Sequence, residues 1–124
     1  MTRSDSMKLL IVDDNASITD MLSKYLIIKG YDVSVVNSGR NALNMIQNNK
    51  FDTVLLDLSM PDFSGIDVIE SLERSGHLKN QKIVLFTASS VSNKIIDELL
   101  SKDGVKTCLK KPVKLTELVQ TISV

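Results

Sequence analysis

The chain has 124 residues, 43% hydrophobic and 24% charged, an ordinary globular composition that argues against disorder. Its fifteen Lys and Arg equal its fifteen Asp and Glu, so no basic footprint marks nucleic acid or an anionic membrane as partner. The length suits one domain whose core needs no staples, and the single cysteine, Cys108, excludes an internal disulfide.

In chain order, residues 1–6 read as a polar leader, residues 7–124 as the domain, and Met7 as an alternative start. The first apolar run, Leu9 to Val12, is too short for a signal peptide, and none approaches the ~18 residues of a membrane span. A cytoplasmic protein without membrane insertion is expected. Strands are predicted at Lys8–Val12, Asp32–Val36, Thr53–Asp57, Lys82–Phe86 and Thr107–Leu109, several of them apolar on consecutive residues as in strands covered on both faces. Between the first two, Ile18, Met21, Leu22, Tyr25 and Leu26 recur at helical spacing, with Asn15 or Ser17 as cap and Gly30 at the end. Ser38 caps a second helix through Ala42, Leu43 and Ile46. Ile66, Ile69 and Leu72 mark a third, and Ile95, Ile96, Leu99 and Leu100 a fourth that stops near Gly104. Leu115, Leu118, Val119 and Ile122 mark a fifth at the C-terminus. This strict alternation predicts an α/β fold: a doubly wound, five-stranded parallel sheet with right-handed crossovers and helices on both faces.

In such sheets ligands bind beyond the carboxyl ends of the strands. Strand one is followed there by Asp13-Asp14, strand three ends at Asp57, strand four leads to Thr87, and strand five to Lys110-Lys111-Pro112. Strand two ends in Val36-Asn37-Ser38 and offers no charge. Taken singly, each has a bland reading: a helix cap, a turn residue, a solvated pair. Together they say more. Three converging carboxylates repel one another and call for a cation, and hard oxygen ligands with room for water suit magnesium. A lysine and a hydroxyl on the same rim add donors for a tetrahedral anion, so the set reads as phosphoryl transfer with a carboxylate as nucleophile.

Leu10-Ile11-Val12-Asp13-Asp14-Asn15, then Val54-Leu55-Leu56-Asp57-Leu58-Ser59-Met60-Pro61 with Gly65, Phe86-Thr87-Ala88 and Leu109-Lys110-Lys111-Pro112, resemble the receiver domain of two-component response regulators. The resemblance runs from about Lys8 to the end of the chain and implies a flavodoxin-like strand order, 2-1-3-4-5. It implies that Asp57 accepts a phosphoryl group from a histidine kinase's phosphohistidine. Asp13 and Asp14 would hold Mg2+, with Asp14 favoured as the direct ligand, or either acid acting through water. Asp57 and the main-chain carbonyl of Ser59 would complete the protein ligands. Thr87 would bind a phosphoryl oxygen and move on activation. The family's lysine directly precedes a proline, often across a cis bond, so the resemblance assigns Lys111, with Lys110 on the other face of the strand. It further implies a signalling module that assists its own phosphorylation and dephosphorylation rather than an enzyme. Its partners would be a sensor histidine kinase or phosphotransfer protein, and a downstream target met through the last two helices and strand, with no direct nucleic-acid contact. With no output domain after Val124, a stand-alone receiver is expected.

Two departures from the family pattern matter. Cys108 stands where Tyr, Phe or His is common, three residues before the lysine. A thiol lacks the volume and polar tip by which a ring would report the motion of Thr87, so the signal is expected in backbone and loop shifts from Ala88 to Val91 and the next helix. Ser59 and Ser89, two places after Asp57 and Thr87, are small and would leave a phosphoryl group open to water. Three rivals are weaker. A magnesium-dependent phosphatase would want a second acid where Ser59 stands, and a substrate cap. A flavodoxin-like cofactor binder would want a phosphate cradle in place of Asp13-Asp14. A purely interacting pseudo-receiver would not need every chemical residue. His77 reads as a surface residue, and the Met residues as packing. The Lys and Asp/Glu mixture around the last two helices reads as a solvated face.

Overall fold

The computed structural model describes residues 6–88 and 90–123. The leader apart from Ser6, and Ser89, lie outside the described residues. Five strands alternate with five helices: β1 Lys8–Val12, α1 Ala16–Ile28, β2 Asp32–Val36, α2 Gly39–Asn48, β3 Thr53–Asp57, α3 Gly65–Arg74, β4 Ile83–Thr87, α4 Asn93–Leu100, β5 Val105–Lys110 and α5 Leu115–Ser123. All strand pairs are parallel, in the order β2-β1-β3-β4-β5, as the alternation and the resemblance lead one to expect.

The sheet divides the apolar residues into two cores. Leu10, Val12, Val54, Leu56, Ile83 and Leu85 face α2, α3 and α4, meeting Ile46, Ile69 and Leu99 among others. Leu9, Ile11, Leu55, Val84, Phe86 and Leu109 face the opposite way, against Leu22 and Leu26 of α1 and Leu118 and Ile122 of α5. Both faces being covered, the two central strands β3 and β4 are buried at every residue, which is why they read as unbroken apolar runs.

The helix ends follow from local chemistry. Asn15 caps α1, its side chain accepting the N–H groups of Ser17 and Ile18 at 3.0 and 3.2 Å. Ser38 accepts the Asn41 N–H at the start of α2. Gly30 after α1 and Gly104 after α4 take φ of +98° and +97°, a region that suits glycine. Ser64 and Asp67 form a reciprocal capping box at α3.

Two strands differ from expectation in their limits. β4 runs one residue later, so the β-branched Thr87 is its last residue, paired with Lys110. β5 begins at Val105 rather than Thr107 and ends at Lys110 rather than Leu109. Its partner register shifts between Ile83 and Val84, so Lys106 drops out of the pairing and stays exposed. An edge strand tolerates such a lysine, and the charge is what disguised the strand as a loop. A single turn of 3-10 helix at Leu78–Asn80 was also unforeseen; only Leu78 there is buried, too little to show periodicity.

Candidate functional site

The carboxyl edge of the sheet gathers the charged residues that follow the strands. The buried run of β1 delivers Asp13 to that edge with no exposed surface. Its N–H donates to Val36 O at 3.3 Å. Asp13 Oδ1 accepts the Asn15 N–H at 2.9 Å, and Oδ2 accepts the Lys111 ammonium at 2.6 Å. Asp14, the next residue, is exposed. β3 carries Asp57 to the same edge, 2% exposed, where Oδ1 accepts the Ser59 N–H at 3.1 Å and Oδ2 lies 3.6 Å from Lys111 Nζ. Gly65, the first residue of α3, packs against the main-chain carbonyl of Asp57, and a Cβ there would collide with it. The backbone under the carboxylate is therefore clamped between β3 and α3.

Burial pushes the Asp57 carboxyl up from an ordinary 3.8 to about 6. The Ser59 N–H opposes that rise, neighbouring Asp13 adds to it, and the Lys111 ammonium works against it.

Strand alternation separates the two lysines. Lys111 reaches the acids and lies over the Phe86 ring, Nζ 4.8 Å from its centroid. Lys110 turns the other way and donates to Asn93 Oδ1, at the start of α4, at 3.0 Å. The Lys111–Pro112 peptide is cis. Thr87 is wholly buried one step past Phe86, the register partner of Asp57. Its hydroxyl donates to Ala88 O at 3.3 Å, while its own carbonyl accepts the Lys111 N–H at 2.8 Å. The edge thus joins Asp13, Asp14, Asp57 and Lys111 closely, with Thr87 tied to Lys111 through the backbone. Cys108 is half-buried on the α4 side of β5, and burial pushes its thiol up. His77 is exposed, on the 3-10 turn side of α3. Phe86 was not foreseen as more than a strand residue. The available signal was its place beside Thr87, which by alternation sets its ring on the face that Lys111 shares.

One oxygen from each of Asp13, Asp14 and Asp57 can be chosen so that all lie within 4.8 Å of one another. Lys111 supplies one ammonium against these three carboxylates, leaving a negative excess. The donor atoms are all hard oxygens, the set that a small divalent cation such as Mg2+ accepts. The residues present fit that ion. No helix among the described residues is long and apolar enough to cross a membrane.

Comparison with known proteins agrees with this arrangement. Residues 9–123 match the family described as the response regulator receiver domain. The chain is 34% identical over 116 residues to the transcriptional regulatory protein CpxR homolog of Haemophilus influenzae, covering 93% of this chain and 48% of that protein. It is 31% identical over 121 residues to the sensor histidine kinase RcsC of Salmonella typhi, covering 98% of this chain and 12% of that one. It spans about half or less of the length of these curated relatives. Among solved structures, the chemotaxis protein CheY4 of Vibrio cholerae superposes with a TM-score of 0.82 at 28% identity, covering 95% of this chain and 97% of that one. From β1 to α5, then, the chain belongs to the receiver domains of two-component response regulators.

Proposed function

We propose that this receiver domain accepts a phosphoryl group on Asp57 in the presence of Mg2+ and changes conformation to control a partner protein. The observation that carries the reading is the buried Asp57 carboxylate, joined to Asp13 through one lysine and sharing a cluster of oxygens with Asp13 and Asp14. Asp13, Asp14, Asp57 and the main-chain carbonyl of Ser59 would hold the ion. Bound there, Mg2+ supplies positive charge that offsets both the acids and the phosphoryl oxygens.

Asp57 is the nucleophile. With its carboxyl near 6, it is mostly ionised at neutral pH and can attack. A carboxylate oxygen forms a new O–P bond as the phosphorus–nitrogen bond of a phosphohistidine breaks, and the imidazole nitrogen leaves with that electron pair. Lys111 then turns its ammonium toward the incoming phosphoryl oxygens, where negative charge is greatest. Thr87 gives up its bond to Ala88 O and donates the same hydroxyl to one of those oxygens, drawing the β4–α4 loop after it.

The phosphodonor is a histidine kinase or a phosphotransfer protein. An apolar cavity of about 330 Å³ beside Lys111, lined by Ile18, Met21, Leu22, Phe86, Pro112 and Val113, offers it a docking surface next to the nucleophile. The controlled target meets α4, β5 and α5, where the Lys110–Asn93 contact links strand to helix and Ile95 is exposed. The domain assists its own phosphorylation and dephosphorylation, and Ser59 at the rim does little to shield the product from water.

Intact mass after incubation with acetyl phosphate tests the reading. Wild type should gain one phosphoryl mass with Mg2+ and none in excess chelator, and Asp57→Asn should gain none in either. Labelling of Asp57→Asn equal to wild type would overturn the assignment, and labelling in chelator would overturn the need for metal.

A further inference from the structure

We infer that the Asn37 carboxamide positions the β1–α1 turn carrying Asp13 and Asp14, and thereby sets how tightly this chain holds a divalent cation. The inference rests on reading those acids as a metal site. Asn37 follows β2, whose end bears no charge. Its Nδ2 donates to the Asp13 main-chain carbonyl at 2.8 Å and to Thr19 Oγ1 at 3.2 Å. The amide orientation follows from its partners. The Thr19 hydroxyl spends its proton on Ala16 O at 3.1 Å, so both groups facing Asn37 accept, and only the nitrogen can serve them.

This contact completes the hydrogen bonding of Asp13. The N–H is held by Val36 O, Oδ1 by the Asn15 N–H, Oδ2 by Lys111, and the carbonyl by Asn37. Asp13 has no exposed surface, so its carbonyl depends on that side chain for a partner. Thr19 is buried in α1, so the same nitrogen fastens the turn to the first coil of the helix that follows the acids. Three elements meet on one amide: the ends of β1 and β2 and the start of α1. Without it, the turn between Asp13 and Asn15 loses this side-chain tie to α1 and to the end of β2 and is held less firmly relative to Asp57, which sits on a different strand. A cation that must touch both strands feels that loosening directly. Groups that orient metal ligands from behind typically change affinity by tenfold or more when removed.

Asn37 is itself exposed, so its variants should fold. The test titrates Mg2+ into wild type, Asn37→Ala, Asn37→Leu and Ile46→Val, following amide resonances, with urea stability measured in parallel. Asn37→Leu keeps the bulk and removes the donor. Ile46→Val, on the buried face of α2, supplies a loss of stability that leaves the contacts of Asn37 and Asp13 in place. Both Asn37 variants should raise the Mg2+ Kd by about tenfold and shift the Asp13 to Asn15 amides even in chelator, while Ile46→Val keeps the wild-type Kd. A wild-type Kd in Asn37→Ala or in Asn37→Leu would overturn the inference. So would an equal rise in Ile46→Val, which would mark a general effect of stability. Failure of wild type to respond to Mg2+ would overturn the metal reading itself, and this inference with it.

Discussion

Lys111 and Lys110 are neighbours in sequence with opposite surroundings, one beside two carboxylates and one beside the Asn93 amide. Removing a donor aimed at developing charge commonly costs about 100-fold in rate, so Lys111→Ala should slow phosphorylation from acetyl phosphate by roughly that factor. Lys110→Ala should stay within about twofold of wild type, since its ammonium faces away from the acids. Rate constants from intact mass would show it; a defect confined to the Lys110 variant would reverse the assignment. Asp57 gives a second prediction, in stability. Its carboxyl is raised to about 6 by burial, so the folded state prefers the protonated form. The contribution is fully favourable below the unfolded value near 3.8 and is lost as pH rises through 6. In chelator at pH 7.5, Asp57→Asn should therefore be more stable than wild type. That gain should shrink as pH falls from 7 toward 4, where a neutral carboxyl and an amide become nearly equivalent. Urea titrations across that range would check it; a gain that grows toward acid would contradict the assigned direction.

At the scale of elements, the proposed switch would lead outward from the site through β4, α4 and β5. Thr87 ends β4 and pairs with Lys110, whose side chain holds the first residue of α4. Cys108 packs on the same side of β5 against the core that contains Ile96 and Leu99. A half-buried thiol in this place fills volume without presenting a polar tip to the surface. Beryllofluoride, a phosphoryl mimic, should therefore still shift the amides of Ser90, Val91 and α4 in Cys108→Ala, at a cost of about 1 kcal/mol in stability. Thr87→Ala should lose most of those shifts, because the hydroxyl that now bonds Ala88 O is the group to be recruited. Amide NMR spectra with and without the mimic decide between the two. Loss of the shifts in the Cys108 variant would make the thiol part of the path.

The whole molecule stores electrostatic strain at one edge, because two of its three clustered acids are buried. A ligand that binds only the folded state stabilises it by mass action. At 100 times its Kd, Mg2+ should add about 2.7 kcal/mol and raise Tm by roughly 10 °C for a domain of this size. NaCl at matched ionic strength should do far less, and an equal effect of both salts would contradict a specific site. What the sequence determined by itself was the fold class and the edge at which to look. Short apolar runs alternating with helical periodicity admit few arrangements other than a covered parallel sheet, and parallel strands send the residues after them to one side. Asp13, Asp14, Asp57 and Lys111 were legible for that reason, as positions that follow strands. The choice of Lys111 over Lys110 came from the resemblance, whose lysine precedes a proline, and strand alternation put Lys110 on the other face. Local patterns could not show the bulge that lets Lys106 drop out of the β4–β5 pairing, the lone turn anchored by Leu78, or the contact of Gly65 with the Asp57 carbonyl. Nor could they show that Phe86 lies beneath the Lys111 ammonium, or that Asn37 reaches across from β2 to hold the Asp13 carbonyl. These are contacts between segments far apart in the chain. Their distances, and the burial that raises the Asp57 carboxyl, exist only once the strands lie side by side and water has been excluded from between them.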